Sequence, residues 1–265
     1  MKARLNRNLL EQTRFDSGMP GGLGMIVHRF ETPGEYEIAL VRDERVVERV
    51  TLIVAQERSE EEAGRKMPPS AREAELPSQV NIELGQARRA VLMQSPSELE
   101  EHYAVRAGGY TSFTATRRED ASAVVVRRRG EEGEEELFDS RRLEEGDIFA
   151  LTMVRPGAYA INNAETGATG EIRVAYPTVG KEPYRPPDPI SVECTDQGFS
   201  PADIDLMPAQ GIIFHVRTPT RIQIDLVEPD DGPEGAREPK VAGWRKPLQQ
   251  QTGPETDDKT SQSAY

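Results

Sequence analysis

Residues 30–38 read Phe-Glu-Thr-Pro-Gly-Glu-Tyr-Glu-Ile, and residues 153–161 read Met-Val-Arg-Pro-Gly-Ala-Tyr-Ala-Ile. Both stretches contain Pro-Gly-x-Tyr-x-Ile, so the chain carries an internal repeat. Pro-Gly favours a tight turn, because proline presets φ and glycine tolerates a positive φ. The Tyr and Ile that follow alternate along a strand, which places both side chains on one face. The repeat therefore predicts two strand–turn–strand units in a β protein.

Short β-branched runs bounded by turn residues recur along the rest of the chain, as in Thr51–Val54 and Gly211–Phe214. Such runs are typical of half-buried strands. With the repeat, they predict an all-β chain whose strands are Met25–Phe30, Tyr36–Val41, Val47–Val54, Val80–Leu84, Ala90–Met93, Tyr110–Thr116, Ala123–Arg129, Glu136–Asp139, Asp147–Val154, Gly157–Asn162, Thr169–Ala175, Ile190–Cys194, Ile204–Leu206, Ile212–Val216 and Arg221–Leu226.

Three local patterns complete this prediction. Residues 2–15 predict a short helix with its leucines on one face. Residues 97–102 predict a helical turn. Residues 127–136 predict a hairpin with a glycine-containing tip, whose basic and acidic arms pair across the strands.

The stretch Gly198-Phe-Ser-Pro-Ala-Asp-Ile204, followed by Gly211–Phe214, resembles the opening strands of cupredoxin-like sandwiches. The Pro-Gly-x-Tyr segments resemble the closing strands of that family, although immunoglobulin-like sandwiches use similar hairpins. The resemblance covers about half of the chain and implies Greek-key β-sandwiches. A cupredoxin places its Cys ligand four residues after the Tyr, where this chain has Leu40 and Asn163. Because a blue-copper site needs two His and a Cys thiolate, the resemblance implies metal-free relatives.

The order of the pieces predicts two β-sandwich domains with extended arms. The N-terminal block looks like the closing strands of a sandwich, and the C-terminal block looks like its opening strands. One alternative is that each block is completed by a neighbouring subunit. The predicted parts are an N-terminal arm (1–23), a discontinuous sandwich (24–56 plus 189–228), a linker (57–78), an inserted sandwich (79–177) and an extended C-terminal tail (229–265).

The composition excludes several classes of protein. The net charge is −13, which disfavours nucleic acid and anionic lipid as partners. The only cysteine is Cys194, so an intramolecular disulfide is excluded. The N-terminus lacks the apolar core of a signal peptide, and no stretch reaches the roughly 20 apolar residues of a membrane span. We therefore expect a soluble protein, cytoplasmic or part of an assembled particle.

Residues of the types that perform catalysis or bind metals are present but isolated. His28, His102 and His215 are interpreted as unrelated strand or surface histidines, since the chain has no His-x-x-x-His or Cys-x-x-Cys pair. Cys194 is interpreted as a small apolar strand residue, because a catalytic thiol needs a base partner and a lowered pKa. Glu98 precedes His102 by four residues, but such acidic stretches are typical of solvated turns.

Two further motifs are also too weak to predict a site. Gly21–Gly24 follows no predicted strand and lacks the Lys-Ser/Thr of a phosphate loop. Glu131–Glu136 lacks the alternating Asp and Asn ligands of a dedicated calcium loop. We therefore predict no catalytic, cofactor-binding or metal-binding residues, and no cofactor.

These observations favour a non-catalytic structural or interaction subunit of a larger assembly, such as a shell, a capsid or a multi-subunit complex. Its partners would be other protein subunits, including copies of itself. A monomeric binding module for a protein, peptide or carbohydrate is the alternative, followed by an enzyme or a degenerate cupredoxin-type redox carrier. The predicted partner-binding residues lie in the arms and are Leu5, Leu9, Leu10, Phe15, Trp244, Arg245 and Tyr265.

Overall fold

Alternating apolar and polar residues form strands throughout the part of the chain that can be described. The computed structural model describes residues 11–56, 76–85, 102–115, 122–130, 133–176 and 184–232. Within these ranges there are seventeen strands and no helix. They are β1 (Arg14–Asp16), β2 (Gly24–Phe30), β3 (Gly34–Arg42), β4 (Arg45–Ala55), β5 (Gln79–Leu84), β6 (His102–Arg106), β7 (Gly109–Ala115), β8 (Ala123–Gly130), β9 (Gly133–Asp139), β10 (Ile148–Met153), β11 (Gly157–Asn163), β12 (Thr169–Val174), β13 (Ile190–Thr195), β14 (Gly198–Ser200), β15 (Asp203–Leu206), β16 (Gln210–Val216) and β17 (Ile222–Pro229).

The strands form three sheets. A seven-stranded sheet has the order β14-β13-β16-β10-β2-β7-β5. The first five-stranded sheet has the order β6-β4-β3-β8-β9, and the second has the order β1-β17-β11-β12-β15. Most neighbours are antiparallel; the parallel pairs are β4 with β6, β5 with β7, β12 with β15, and β13 with β16. The all-β, sandwich-like character predicted from the sequence is therefore confirmed.

Three observed strands lie where the sequence predicts none. Arg14–Asp16 overlaps the end of the helix predicted at 2–15, and His102–Arg106 begins at the last residue of the predicted helical turn. The third is Gly198–Ser200. All three are edge strands of their sheets, so a neighbouring ladder rather than local propensity holds them in place. The strand predicted at 90–93 and helix residues 2–10 lie outside the described residues.

The two Pro-Gly-x-Tyr segments adopt the same structure. The hydroxyl of Tyr36 donates to the carbonyl of Thr32 (2.6 Å), and that of Tyr159 donates to the carbonyl of Arg155 (2.8 Å). Each Tyr thus reaches back four residues, across its turn, while its ring is buried. This is the geometry of a tyrosine corner. Burial raises the pKa of both phenols, that of Tyr159 to about 12.

One hydrophobic cluster joins side chains from all three sheets. Between the seven-stranded sheet and the first five-stranded sheet, the Phe30 ring meets Tyr36 edge-on at 5.0 Å, and Phe113 stacks on Phe138 at 5.9 Å. Towards the second five-stranded sheet, Tyr159 contributes a fully buried ring to the same cluster. The faces away from this cluster carry polar residues together with smaller groups of apolar residues.

The predicted charged hairpin is confirmed, and it belongs to a wider ladder. β8 and β9 are antiparallel with Arg127 opposite Glu136, and these side chains lie 3.8 Å apart. Glu37 on β3 lies 3.9 Å from Arg127 and 3.5 Å from Arg49 on β4. Alternating charges therefore cross four strands on the face of the sheet that points away from the core.

The strand ladders correct the predicted discontinuous domain. The segment 24–56 pairs with strands between 102 and 130, through β2–β7, β3–β8 and β4–β6. The segment 189–228 pairs with strands between 148 and 174, through β10–β16, β11–β17 and β12–β15. Thus 24–56 and 189–228 do not complete one sandwich around an inserted 79–177. Short strands all offer similar backbone partners, so local sequence does not specify which strands meet.

All seventeen strands belong to one compact body, Met1–Asp231. Gly232–Tyr265 form a second body, of which only Gly232 is described. None of the described residues belongs to a helix long and apolar enough to cross a membrane.

Candidate functional site

A cleft of about 590 Å³ opens at one end of the three central strands of the seven-stranded sheet. β2 ends there, β10 begins there and β16 ends there, because β10 is antiparallel to both of its neighbours. With Tyr110 at the start of β7, the cleft is framed by residues from four distant parts of the chain. The titratable and aromatic side chains that line it include His28, Arg29, Tyr110, Asp147, His215 and Arg217.

A short hydrogen bond in the cleft joins His28 to Asp147. Nδ1 of His28 lies 2.6 Å from Oδ1 of Asp147. The carboxylate is 3% exposed, whereas the imidazole is 21% exposed. The ring is also clamped by aromatic contacts with Phe30, edge-on at 4.9 Å, and with Phe138 at 4.7 Å. One hydrogen bond and two aromatic contacts thus hold the imidazole, while part of its surface stays open to the cleft.

A tight turn places Asp147 beneath His28. Oδ2 of Asp147 accepts a hydrogen bond from the amide of Glu144 (2.8 Å), and the amide of Asp147 donates to the carbonyl of Glu144. Gly146 adopts a φ of +95° in this turn, a conformation that glycine tolerates at little cost. The side chain of Asp147 therefore caps its own turn and orients the histidine at the same time.

The rim of the cleft is built from ion pairs. Arg29 lies 3.3 Å from Glu31 and its guanidinium lies over the ring of Tyr110, 5.8 Å from the centroid. Arg217 lies 2.6 Å from Glu193, and this hydrogen bond lowers the pKa of Glu193. The rim therefore presents both signs of charge beside an aromatic ring, rather than a surface of a single charge.

The chemistry available here is that of an oriented imidazole. Within the described residues, Nε2 of His28 has no hydrogen-bond partner, so it is the nitrogen that can bind a ligand atom or exchange a proton. An imidazole with a carboxylate at its other nitrogen is a recurrent arrangement in both acid–base and metal sites. Among the described residues no group of three or more His, Cys, Asp and Glu side chains has the arrangement of a metal centre.

His28 and His215 both line the cleft, whereas His102 and Cys194 do not. His102 is exposed at the start of edge strand β6. Cys194 is opposite Val216 in the β13–β16 ladder, and both are buried on the core face. His215 is the next residue along β16, so it points to the opposite face. Burial raises the pKa of the Cys194 thiol to about 12, which keeps the sulfur protonated and unreactive at neutral pH.

The positions that would hold the copper-ligating cysteine of a cupredoxin are core positions here. Leu40 on β3 is buried in the hydrophobic cluster. Asn163 on β11 is buried, and its side-chain amide donates to the hydroxyl of Thr220. Leu40 therefore packs in the core, and the side chain of Asn163 is hydrogen-bonded.

One predicted partner-binding residue is used within the chain. Phe15 lies on β1 and is 4% exposed, in the common hydrophobic cluster. Its ring is not available to a neighbouring molecule, and the prediction for this residue is corrected. The other six residues, Leu5, Leu9, Leu10, Trp244, Arg245 and Tyr265, lie outside the described residues.

Asp147 is the residue of the candidate site that the sequence does not reveal. It is separated from His28 by 119 residues, and it follows an acidic run that is typical of a solvated turn. The available signal was Gly146-Asp147 directly before the apolar strand Ile148–Met153, since an Asp at that point caps the turn and faces the adjacent strand.

Comparison of the chain with protein-family models, curated proteins and solved structures finds no match.

Proposed function

We propose that this protein is a non-catalytic structural or interaction subunit, and that its partner is a second copy of the same chain. The observation that carries the proposal is an apolar band on the seven-stranded sheet, on the face that points away from the core. The band is defined by Met25 and Val27 on β2, Ile148 and Ala150 on β10, and Ile213 on β16.

The register of the strands makes this band continuous. Ala150 lies opposite Ile213 on one side and opposite Met25 on the other, and Ile148 lies opposite Val27. Met25 is 40% exposed, and the other four side chains are half-buried. A contiguous apolar patch on a sheet face is typical of an interaction surface rather than of a solvated surface.

A second copy of the chain is the occupant that we propose for the band. β2 and β10 are antiparallel, so a local two-fold axis passes between them and relates Met25 to Ile148 and Val27 to Ala150. A closed two-fold interface joins the same patch on both subunits, so this band can stack on its copy in a second chain. Two sheets that stack in this way lie roughly 10 Å apart with interdigitated side chains.

The proposal is tested by measuring the mass of the protein with light scattering after size exclusion. We expect twice the chain mass of 29.5 kDa for the wild type and the chain mass for Met25→Glu, because a carboxylate would be buried in the interface. Val47→Glu is the matched control, since Val47 is 45% exposed on a different sheet, and it should leave the dimer intact. A wild-type protein that stays monomeric at all concentrations refutes the second copy as partner.

The cleft supports a second candidate function, a monomeric binding module for a peptide or carbohydrate. Its volume of about 590 Å³ lies within the roughly 300–1,000 Å³ of ligand sites, and Tyr110 offers an aromatic surface beside charged groups. This function predicts saturable binding that shifts the imidazole signals of His28 in NMR titrations and is lost in His28→Ala. Titrations with peptide and oligosaccharide panels that leave these signals unchanged would refute it.

The finer parts of the proposal concern family and arms. We assign the sheets to the cupredoxin-like, Greek-key type, which is supported by the two Pro-Gly-x-Tyr turns at the start of β3 and β11. The arms, with Leu5 and Trp244 as anchors, remain predicted partner contacts. Limited proteolysis of the assembled protein tests them: protected ends support a role in assembly, and rapid loss of both ends contradicts it.

A further inference from the structure

We propose that the chain is a tandem duplication of one self-associating unit, and that each unit completes the other unit's five-stranded sheet with its own first strand. This proposal goes beyond the proposed function, because it concerns an interface within one chain and does not depend on binding a second chain. The first unit comprises β1–β8 and the second comprises β9–β17.

The two units have the same strand order. In the first unit, β5-β7-β2 form one part of the seven-stranded sheet, and β6-β4-β3-β8 form a five-stranded sheet with β9. In the second unit, β13-β16-β10 and β15-β12-β11-β17 take the corresponding places, and β1 completes the sheet. The parallel pairs also correspond, and among the strands of the described residues β14 has no counterpart.

The sequences of the first strands correspond at a constant spacing of 123 residues. Phe15-Asp16-Ser17 aligns with Phe138-Asp139-Ser140, and the same spacing aligns the two Pro-Gly-x-Tyr-x-Ile segments. Over residues 14–38 and 137–161 the two copies are identical at seven positions: Phe, Asp, Ser, Pro, Gly, Tyr and Ile. The identical residues are those that form the first strand, its turn and the tyrosine corner.

The backbone conformation supports the correspondence in a region where the sequences differ. The turn between β6 and β7 has Gly108 at a φ of +77°, and the turn between β15 and β16 has Ala209 at a φ of +60°. Phe113 and Phe214, which lie five residues after them, occupy equivalent places opposite Ile26 and Phe149. A positive φ is uncommon for alanine, so its presence at the equivalent turn is explained by a shared backbone.

The first strand of each unit pairs with the last strand of the other. Ser17, after β1, donates its amide to the carbonyl of Ile222 and accepts the Ile222 amide at Oγ (2.9 and 3.0 Å). Ser140, after β9, makes the same two bonds with Val124 (2.9 and 2.9 Å). Both serines are fully buried. The Oγ of Ser140 also donates to the carbonyl of Gly18, so the residue that follows β9 contacts the segment that follows β1.

The units meet across a two-fold axis in the seven-stranded sheet. Ile26 is paired with Phe149, and Phe149 is the residue that corresponds to Ile26 at the 123-residue spacing. Met25 is paired with Ala150, the equivalent of Val27, as expected for a symmetric antiparallel contact. The partner that this interface fits is therefore a second copy of the unit, here supplied by the same chain.

The symmetry also shows where the copies differ. The pair His28 and Asp147 lies at one end of the β2–β10 contact, and the equivalent pair at the other end is Leu151 and Gly24. The polar pair at one end of the contact thus stands where the other end has Leu151 and Gly24, and each pair takes one residue from each unit.

Hydrogen exchange tests the exchanged strands in the full chain. Ser17→Ala removes an acceptor from the amide of Ile222, so exchange should accelerate about tenfold in peptides that cover 220–225 and stay unchanged in those that cover 122–128. Ser140→Ala should give the reverse pattern. Ser191→Ala, on an exposed position of β13, is the control and should change neither.

The proposal is refuted if Ser17→Ala accelerates exchange in its own unit, at 122–128, or in neither segment. Where an alanine variant does not fold, Ser17→Cys and Ser140→Cys keep the size of the side chain and weaken only the acceptor.

Cleavage between the units tests their association. A protease site is inserted between residues 131 and 132, and cleavage there divides the chain of the folded protein between β8 and β9. We expect native mass spectrometry to find both fragments in one particle with the mass of the whole chain, and denaturant to separate them. Fragments that part under native conditions would refute a self-associating interface.

Discussion

Removing the hydroxyl of Tyr159 is expected to change how the stability of the protein depends on pH. The ring is 1% exposed, and its hydroxyl donates to the carbonyl of Arg155 at 2.8 Å. In Tyr159→Phe this bond is lost and the carbonyl is left without its donor. The expected loss of unfolding free energy at pH 7 is about 1 kcal/mol.

The sign of the effect reverses at high pH. Burial raises the pKa of Tyr159 from 10.0 to about 12, so the folded protein holds the phenol proton more tightly than the unfolded chain does. The stability that this provides is complete below pH 10, falls as the unfolded chain ionises above that pH, and is lost as the pH rises through 12. A shift of about two units corresponds to about 2.7 kcal/mol. Tyr159→Phe lacks this loss, so in strong alkali it should be more stable than the wild type.

The assay is urea unfolding followed by circular dichroism between pH 7 and pH 11.5, together with the phenolate absorbance of the folded protein. Tyr36→Phe should behave in the same direction, because burial raises the pKa of Tyr36 as well. Tyr110→Phe is the control, since that ring is 41% exposed. Stability curves for the wild type and Tyr159→Phe that stay a constant distance apart at all pH values would refute the reasoning.

Three further outcomes follow from the structure. Asp147→Asn should lower the unfolding free energy by about 1–3 kcal/mol, because the charge-assisted bond to His28 is lost; a change in the NMR signals of the imidazole checks it. Cys194 should resist thiol reagents at pH 8 until the protein unfolds, since the thiol is buried and its pKa is about 12; rapid labelling of the folded protein would contradict this. Gly157→Ala should destabilise the protein by about 1–3 kcal/mol, because the new Cβ would overlap the carbonyl of Glu228. Gly133→Ala shares the positive φ, but its Cβ would meet no atom within 4 Å, so thermal unfolding should show a smaller loss of stability.

Fourteen of the fifteen strands predicted from the sequence are found, and the other lies outside the described residues. Their prediction was feasible because the alternation in β10 or β16 is written in consecutive residues. The candidate site was not predictable in the same way. His28 was considered and interpreted as an isolated histidine, since the residue that orients it is 119 positions away and lies in an acidic turn.

The internal repeat was only partly visible. Pro-Gly-x-Tyr-x-Ile stands out because turn residues and a buried Tyr tolerate few replacements. Phe15-Asp16-Ser17 and its copy at 138–140 are too short to be significant alone, and the correspondence becomes clear once both serines are seen to bind the last strand of the opposite unit. Between these motifs the two copies share almost no residues, since many apolar side chains can fill equivalent core positions.

The amino-acid sequence by itself determined that this protein is β, where most strands lie and where the two tyrosine corners turn, because each of these depends on residues close together in the chain. Only the tertiary structure decided which strands pair, that β1 and β9 complete opposite sheets, and that His28 meets Asp147. Backbone hydrogen bonds are the same for every strand, so the choice of partner rests on how side chains from distant segments fit in one core, such as Phe113 against Phe138.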